Sequence, residues 1–205
     1  MKLEGIRVAL VSALLLGLGS TLAGAQEVWQ PYDFSNTRWI ELQVAVSEDE
    51  ETRTGTTILE FEPKGEGQVT LHFQATLGEM SSEFTTTAPE DELYSQAMMQ
   101  MMMNPAGAPL MATMFAPFWG MFFVGRDMSV GSGWSFSDGE TSMSFKVEST
   151  CSYAGREGKQ VIWRENDELR ADACISPGVP LPLALTLNTE EGERFEIEMT
   201  KYESR

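Results

Sequence analysis

Apolar and polar residues alternate along five separated stretches of this chain, and this period of two limits the choice of fold more than any other feature. The stretches are residues 40–46, 69–73, 143–147, 181–187 and 195–199. A period of two places successive side chains on opposite faces of a β-strand, so each stretch has the pattern of a half-buried strand. Turn sequences such as Gly65-Glu66-Gly67 and Ser137-Asp138-Gly139 lie between them. The pattern predicts a mainly β protein of the α+β class, built on one antiparallel sheet.

An uncharged segment from Leu93 to Gly125 interrupts this pattern in the middle of the chain. A sheet with one apolar face must cover that face, and this segment is the natural cover. The sequence Thr87-Ala88-Pro89-Glu90 fits a capping box with proline in the first turn, which predicts a helix that runs to about Met103. Pro109 opens a second short helix, so we expect a helical insert at about 88–116.

The same segment is long enough to suggest a membrane span. However, prolines and glycines at positions 105, 107, 109, 117 and 120 divide it into pieces. Each piece is shorter than the roughly 20 apolar residues that a spanning helix needs. We therefore expect no stable span in the mature chain and a buried or cavity-lining role for this segment.

The N-terminus has the features of a secretory signal peptide. Lys2 and Arg7 precede or flank an apolar run, and Ala23-Gly24-Ala25 supplies a cleavage site. This arrangement predicts a signal peptide at residues 1–25, cleaved after Ala25. Residues 26–205 then form a single exported domain, located in the periplasm or outside the cell.

The chain is strongly acidic, with a formal net charge of -17. Loss of the signal peptide removes a net charge of +1 and leaves about -18. Nucleic acids and anionic membrane surfaces require basic patches, so neither is an expected partner. The acidic clusters lie beside turn residues, which favours solvated loops over metal sites, and we expect neither a metal nor a cofactor.

Cys151 and Cys174 are the two cysteines of the chain, and both belong to the exported part. In an oxidising compartment the simplest outcome is one disulfide between them. Closing a loop of this length would stabilise the fold by about 3 kcal/mol on the chain-entropy model. The alternative is a redox dithiol, which the absence of a C-x-x-C motif disfavours.

The sequence offers little support for catalysis, and we expect the protein not to be an enzyme. Nucleophilic catalysis on serine or cysteine usually requires a histidine base, and the chain has one histidine, His72. His72 alternates onto the polar face of its strand, and no G-x-S-x-G motif occurs. A carboxylate-based site remains an open, weaker alternative because the chain has many acidic residues.

Eight methionines lie between residues 98 and 125. Methionine is unbranched and polarizable, so a methionine cluster adapts to apolar partners of different shapes. Three interpretations remain open, namely core packing, the lining of an apolar ligand site, and thioether binding of copper(I), which the single histidine disfavours. The candidate ligand-binding residues are Met98, Met101, Met102, Met111, Met114, Phe115, Phe118, Trp119 and Phe122.

The chain resembles the LolA/LolB-like superfamily of periplasmic lipoprotein carriers and outer-membrane lipoprotein receptors. The resemblance lies in a signal peptide, a strand meander interrupted by central helices, and a closing hairpin. That hairpin comprises Gly178-Val179-Pro180-Leu181-Pro182-Leu183, an acidic turn and Phe195-Glu196-Ile197-Glu198-Met199-Thr200. The resemblance implies a single curved sheet or half-barrel, covered by one or two central helices that enclose an apolar cavity for acyl chains.

These observations lead to one functional hypothesis and one alternative. The hypothesis is a non-enzymatic envelope protein that binds a lipid, an acyl chain or another apolar ligand between the sheet and the methionine-rich helices. The alternative is a structural or protein-interaction module of the cell envelope that has no small-molecule ligand.

Overall fold

A computed structural model describes residue 29 and residues 34–49, 51–103, 123, 126–137, 139–189 and 191–205. These residues contain one ten-stranded sheet and one helix, α1, at Leu93–Met102. The strands are β1 Thr37–Glu48, β2 Glu51–Gly65, β3 Gln68–Leu77, β4 Met80–Pro89, β5 Gly133–Ser137, β6 Ser142–Tyr153, β7 Arg156–Glu165, β8 Glu168–Ile175, β9 Ala184–Asn188 and β10 Arg194–Ser204. The prediction of a mainly β fold is confirmed.

Two meanders make up the sheet. The first runs through β1 to β4 and the second through β5 to β10, and the pairing of β1 with β10 joins them. Every neighbouring pair is antiparallel. Among the strands that the structure describes, the sheet is not closed, because β4 and β5 form its two edges. The predicted single antiparallel sheet is confirmed as an open sheet.

Tight turns fix the register of several hairpins. Glu66 and Gly67 between β2 and β3, and Ala154 and Gly155 between β6 and β7, have positive φ at both positions. Two successive residues with positive φ are typical of the type I′ turn, whose twist matches that of the paired strands. The turn therefore determines which side chains of neighbouring strands lie opposite each other.

One face of the sheet is apolar from edge to edge. From β5 through β10 to β1, one row of apolar residues crosses the sheet, and each member pairs with the next on the neighbouring strand. The row consists of Trp134, Phe145, Trp163, Ala171, Leu187, Phe195 and Val46. In the other half, a row across β1 to β4 contains Ile40, Leu59, Phe73 and Phe84. Because side chains alternate along each strand, the residues between these positions form a polar face on the other side.

Apolar residues, most of them on this face, form two buried clusters. The first lies over β1 to β4 and β10 and includes Phe73, Leu71 and Met199, while the second lies over β6 to β9 and includes Phe145 and Val161. Trp29 and Phe123 belong to the second cluster. The predicted disulfide is also confirmed, between Cys151 of β6 and Cys174 of β8.

Helix α1 begins later than the sequence predicts. Thr87 and Ala88 belong to β4, where they pair with Thr70 and Val69, and the helix starts at Leu93 with Glu92 as its N-cap and no side-chain cap. The capping-box prediction is therefore wrong, because the Thr87 hydroxyl forms a hydrogen bond of 2.8 Å with the Thr70 hydroxyl across the ladder instead. The predicted end near Met103 is correct. The second predicted helix lies outside the described residues.

The closing hairpin is shorter than its leucine pattern predicts. Strand β9 contains Leu185 and Leu187, whereas Leu181 and Leu183 lie in the loop before it and are both buried. Prolines at positions 180 and 182 have no backbone N–H to donate to a ladder, which explains why the strand begins only at Ala184. The loop's buried side chains pack into the first apolar cluster instead.

Candidate functional site

Helix α1 lies on the apolar face and packs against β3 and β4. Leu93, Ala97 and Met101, four residues apart, are buried in the first apolar cluster. This spacing places them on one side of a helix. The opposite side carries Met99 and Met103, which are 67% and 84% exposed. The helix therefore has a buried side and an exposed methionine-bearing side.

The structure brings two of the predicted ligand-binding residues together on this face. Met101 is fully buried, and Met98 is partly buried against the same cluster. Met102 belongs to α1, but its side chain lies outside the described part of the chain. The remaining predicted residues also lie outside it, namely Met111, Met114, Phe115, Phe118, Trp119 and Phe122. Their role in ligand binding stays a prediction.

A row of parallel aromatic rings continues the apolar face towards the β5 edge. The ring centroids of Trp134 and Phe145 are 5.6 Å apart with an interplanar angle of 9°. Those of Phe145 and Trp163 are 6.1 Å apart at 7°. Phe123 meets both Trp134 and Phe145 edge-on, at 5.4 and 5.8 Å. Trp134 and Trp163 are half-buried, so large apolar side chains remain partly accessible on this half of the sheet.

Sequence reasoning did not identify this aromatic row. Trp134, Phe145 and Trp163 lie on three successive strands and become neighbours through the registers of β5, β6 and β7. The hairpin signal at residues 137–139 could have paired Trp134 with Phe145 by counting outwards from the turn. The position of Trp163 required the register of the next hairpin.

The polar face carries a cleft of about 790 Å³. Its polar lining includes Gln43, Thr54, Thr56, Tyr153, Gln160, Asp172, Thr186, Glu196 and Glu198, and the disulfide forms part of its wall. Gln160 Nε2 donates to Asp172 Oδ2 at 2.9 Å, and its Oε1 accepts from Ser149 Oγ at 2.7 Å. Of the predicted ligand-binding residues whose side chains the structure describes, neither Met98 nor Met101 lines this cleft. Strands from both meanders form it, so no local sequence pattern predicted it.

His72 lies on the polar face, as predicted. Its Nδ1 is 3.0 Å from Thr85 Oγ1, and its Nε2 is 3.7 Å from Glu62 Oε2. Lys64, which bonds Glu62 at 2.7 Å, is the main cause of the lowered pKa of that carboxyl group. Among the described residues, no three His, Cys, Asp or Glu side chains are arranged to hold a metal ion.

Tyr94 of α1 is partly buried against the first apolar cluster. Burial raises the pKa of its phenol above the ordinary value of 10.0, because the ionised form is poorly solvated there. The environment beside the helix is therefore less polar than water.

In the described ranges, no helix is long and apolar enough to cross a membrane.

No family model matches the chain, and no curated protein sequence matches it closely. Several solved structures are similar to it. The crystal structure of MucB in complex with MucA(peri) matches at 14% identity over 85% of this chain and 52% of the MucB chain, with a TM-score of 0.40. The complex of Pseudomonas aeruginosa MucA and MucB matches at 14% identity over 84% and 54%, with a TM-score of 0.39. This chain therefore spans about half the length of the MucB chains that it matches.

A shorter protein matches along nearly all of its length. It is a β-barrel-like protein of domain of unknown function DUF1849 from Brucella abortus, with 8% identity over 87% of this chain and 99% of that chain, and a TM-score of 0.36. Similarities at this level assign neither a family nor a function to the chain.

Proposed function

We propose that this protein is a non-enzymatic, exported binding protein that holds an apolar ligand, such as a lipid or an acyl chain, against the apolar face of its sheet. The candidate contacts are the methionine-rich residues around α1 and the half-buried apolar side chains of β5 to β9. The observation that carries the proposal is an apolar face much wider than the helix that covers it.

The difference in size can be worked out from standard dimensions. Ten strands about 4.8 Å apart span about 43 Å when measured across a flat sheet. A helix of ten residues is about 15 Å long. Among the described residues, α1 packs against β3 and β4 at one edge of the sheet. The far half of the face depends on other cover.

Some of that cover is described. Trp29 and Phe123 are buried in the second cluster, and Trp29 donates from Nε1 to the Val179 carbonyl at 2.9 Å. Apolar side chains nevertheless remain only partly buried around the second cluster, namely Met128, Trp134, Phe136, Met143, Trp163 and Leu187. Partly exposed apolar groups gathered on one face favour an apolar ligand or partner.

The chain's own composition supports the absence of catalysis. Its one histidine bonds a threonine on the polar face, away from the apolar site. A ligand site that consists of methionines and aromatic rings offers adaptable apolar contact and no general base. Export of the protein is supported by the signal-like N-terminus and by the disulfide, which persists in oxidising compartments.

Native mass spectrometry of protein purified from its own envelope tests the proposal. An adduct of lipid mass is expected, together with displacement of a fluorescent apolar probe by added fatty acid. An apo mass and no probe binding would refute the proposal and favour the structural or protein-interaction alternative.

Methionine-to-glutamine variants locate the site, because glutamine keeps the length of methionine and adds polarity. Met98→Gln and Met143→Gln alter partly buried positions on the apolar face. Each substitution removes the apolar contact that the probe makes with about half of a methionine side chain. That contact contributes about 1 kcal/mol to binding, so the probe should bind about fivefold more weakly. Met99→Gln, at a 67% exposed position, is the matched control and should bind as the parent does. Equal affinity in all three variants would exclude this face.

A further inference from the structure

The disulfide joins two strands that are not neighbours. Cys151 belongs to β6 and Cys174 to β8, and β7 lies between them. In a flat sheet two strand spacings separate such residues by at least about 9.6 Å. Here their Cα atoms are 6.1 Å apart. The sheet is therefore folded sharply around β7 at this point.

The direction of this fold follows from the ladder. Cys174 pairs with Gln160, and both side chains line the polar cleft. Cys151 lines the same cleft. Because the two cysteine side chains converge on the polar face, the sheet is bent towards that face and the bend deepens the cleft.

Gly158 provides the space in which the disulfide crosses β7. It pairs with Cys151. A Cβ atom at this position would lie 3.0 Å from Cys174 Sγ and 2.7 Å from the carbonyl oxygen of Ile175. Any larger residue would push the disulfide or β8 away from β7, so the close approach depends on glycine here.

The hydrogen-bonded ladders do not depend on the disulfide. β7 pairs along its length with β6 and with β8. Ser176 Oγ also donates to the Glu157 carbonyl at 2.6 Å. Breaking the disulfide therefore leaves the strand order intact.

We infer that the Cys151–Cys174 disulfide is a redox-sensitive clasp that sets the width of the polar cleft. Cys174 is 3% exposed, whereas Cys151 is half-buried and lines the cleft, so a dithiol reductant reaches the disulfide from that side. One thiolate of the reductant attacks Cys151 Sγ, the S–S bond breaks, and Cys174 leaves as a thiolate that takes up a proton.

The second thiol of the reductant completes the reaction. As a thiolate it attacks the sulfur of the reductant in the mixed disulfide, and Cys151 leaves and is protonated. The products are two cysteine thiols and the cyclic disulfide of the reductant, with two electrons transferred to the protein. Without the clasp, β6 and β8 relax towards the spacing of a flat sheet and the cleft widens.

Distance measurements across the cleft test this inference in the full-length protein. Spin labels are attached through non-cysteine chemistry at Thr54, which lines the cleft, and at Ser152, next to Cys151. Both positions are exposed. Addition of dithiothreitol should lengthen this distance by about 3.5 Å, the difference between the flat-sheet separation of Cys151 and Cys174 and the observed 6.1 Å. A control pair at Thr54 and Glu198, which both lie across the cleft from the clasp, should not change.

The double variant Cys151→Ser/Cys174→Ser separates the clasp from other effects of the reductant. It should show the longer distance without dithiothreitol and should not respond to it. An unchanged Thr54–Ser152 distance after reduction would overturn the inference, because the bend would then persist without the disulfide. Loss of the β-sheet signal in far-UV circular dichroism after reduction would also overturn it, since the disulfide would then hold the whole fold. Neither result bears on the apolar ligand.

Discussion

Gly55 should tolerate replacement less well than any turn glycine, because β3 approaches its Cα directly. A Cβ atom on Gly55 would lie 1.8 Å from the carbonyl oxygen of Thr76, 2.5 Å from its carbonyl carbon and 2.9 Å from Leu77 Cα. Cβ atoms in proteins essentially never lie within 3.0 Å of a heavy atom beyond the neighbouring residues. To restore that distance, β3 would have to move by about 1.2 Å. The obstacle is backbone and cannot rotate away.

The cost of Gly55→Ala follows from these distances. Overpacking costs about 3 kcal/mol at the upper end of its usual range, and a disturbed ladder bond adds about 1 kcal/mol. The lower entropy of alanine in the unfolded chain offsets about 0.7 kcal/mol. A net loss of about 3 kcal/mol lowers the melting temperature by about 6–12 °C for a domain of this size.

Calorimetry and urea denaturation of Gly55→Ala beside Gly65→Ala measure this cost. Gly65 has φ +82° and no atom within 4 Å of its missing Cβ, so the control variant carries only backbone strain of about 1 kcal/mol. Its melting temperature should fall by about 2–4 °C. If Gly55→Ala melts within 2 °C of the parent protein by calorimetry, about the shift from 0.5 kcal/mol, or is the more stable variant, the close approach of β2 and β3 is refuted.

Three further predictions concern α1 and the strand before it. Met101→Ala should cost about 3 kcal/mol in urea unfolding because the side chain is fully buried, whereas Met99→Ala, at an exposed position, should stay within about 0.5 kcal/mol of the parent. Thr87→Ala should lower the free energy of unfolding by less than about 1 kcal/mol and leave the helical circular dichroism unchanged, because Thr87 bonds Thr70 in the sheet. A loss of helical signal would instead show that Thr87 caps the helix. The raised pKa of Tyr94 keeps the folded phenol protonated after the unfolded one has ionised, so its contribution to stability is present below about pH 10 and is lost as the pH rises. Tyr94→Phe should therefore reduce the loss of melting temperature between about pH 9.5 and 11, and an unchanged alkaline loss would contradict the assigned burial effect.

The helix illustrates how far local patterns reach. Its end near Met103 was predictable, because Asn104 and Pro105 stop a helix locally. Its beginning was not, because Thr87 fits a capping box and a strand equally well. The ladder with Thr70 decided in favour of the strand, since tertiary pairing outweighs a single capping signal of about 1 kcal/mol.

The candidate site divides in the same way. Met98 and Met101 lie on the apolar face, because the spacing of apolar residues determines the buried side of a helix, and their role in ligand binding stays a prediction. The aromatic row of Trp134, Phe145 and Trp163 was missed, because its members meet only through two successive registers. The polar cleft was also missed, since strands of both meanders contribute to it.

The sequence by itself determined the strand periodicity, the antiparallel meander and the pairing of the two cysteines, because alternation is local and two cysteines have one way to pair. The tertiary structure alone decided the joining of β1 to β10, the sharp bend at Gly158 and the cleft that this bend deepens. The physical reason is that these features depend on residues far apart in the chain. Their contact energies emerge only when the sheet assembles, and a period of two along each strand contains no information about which strands meet.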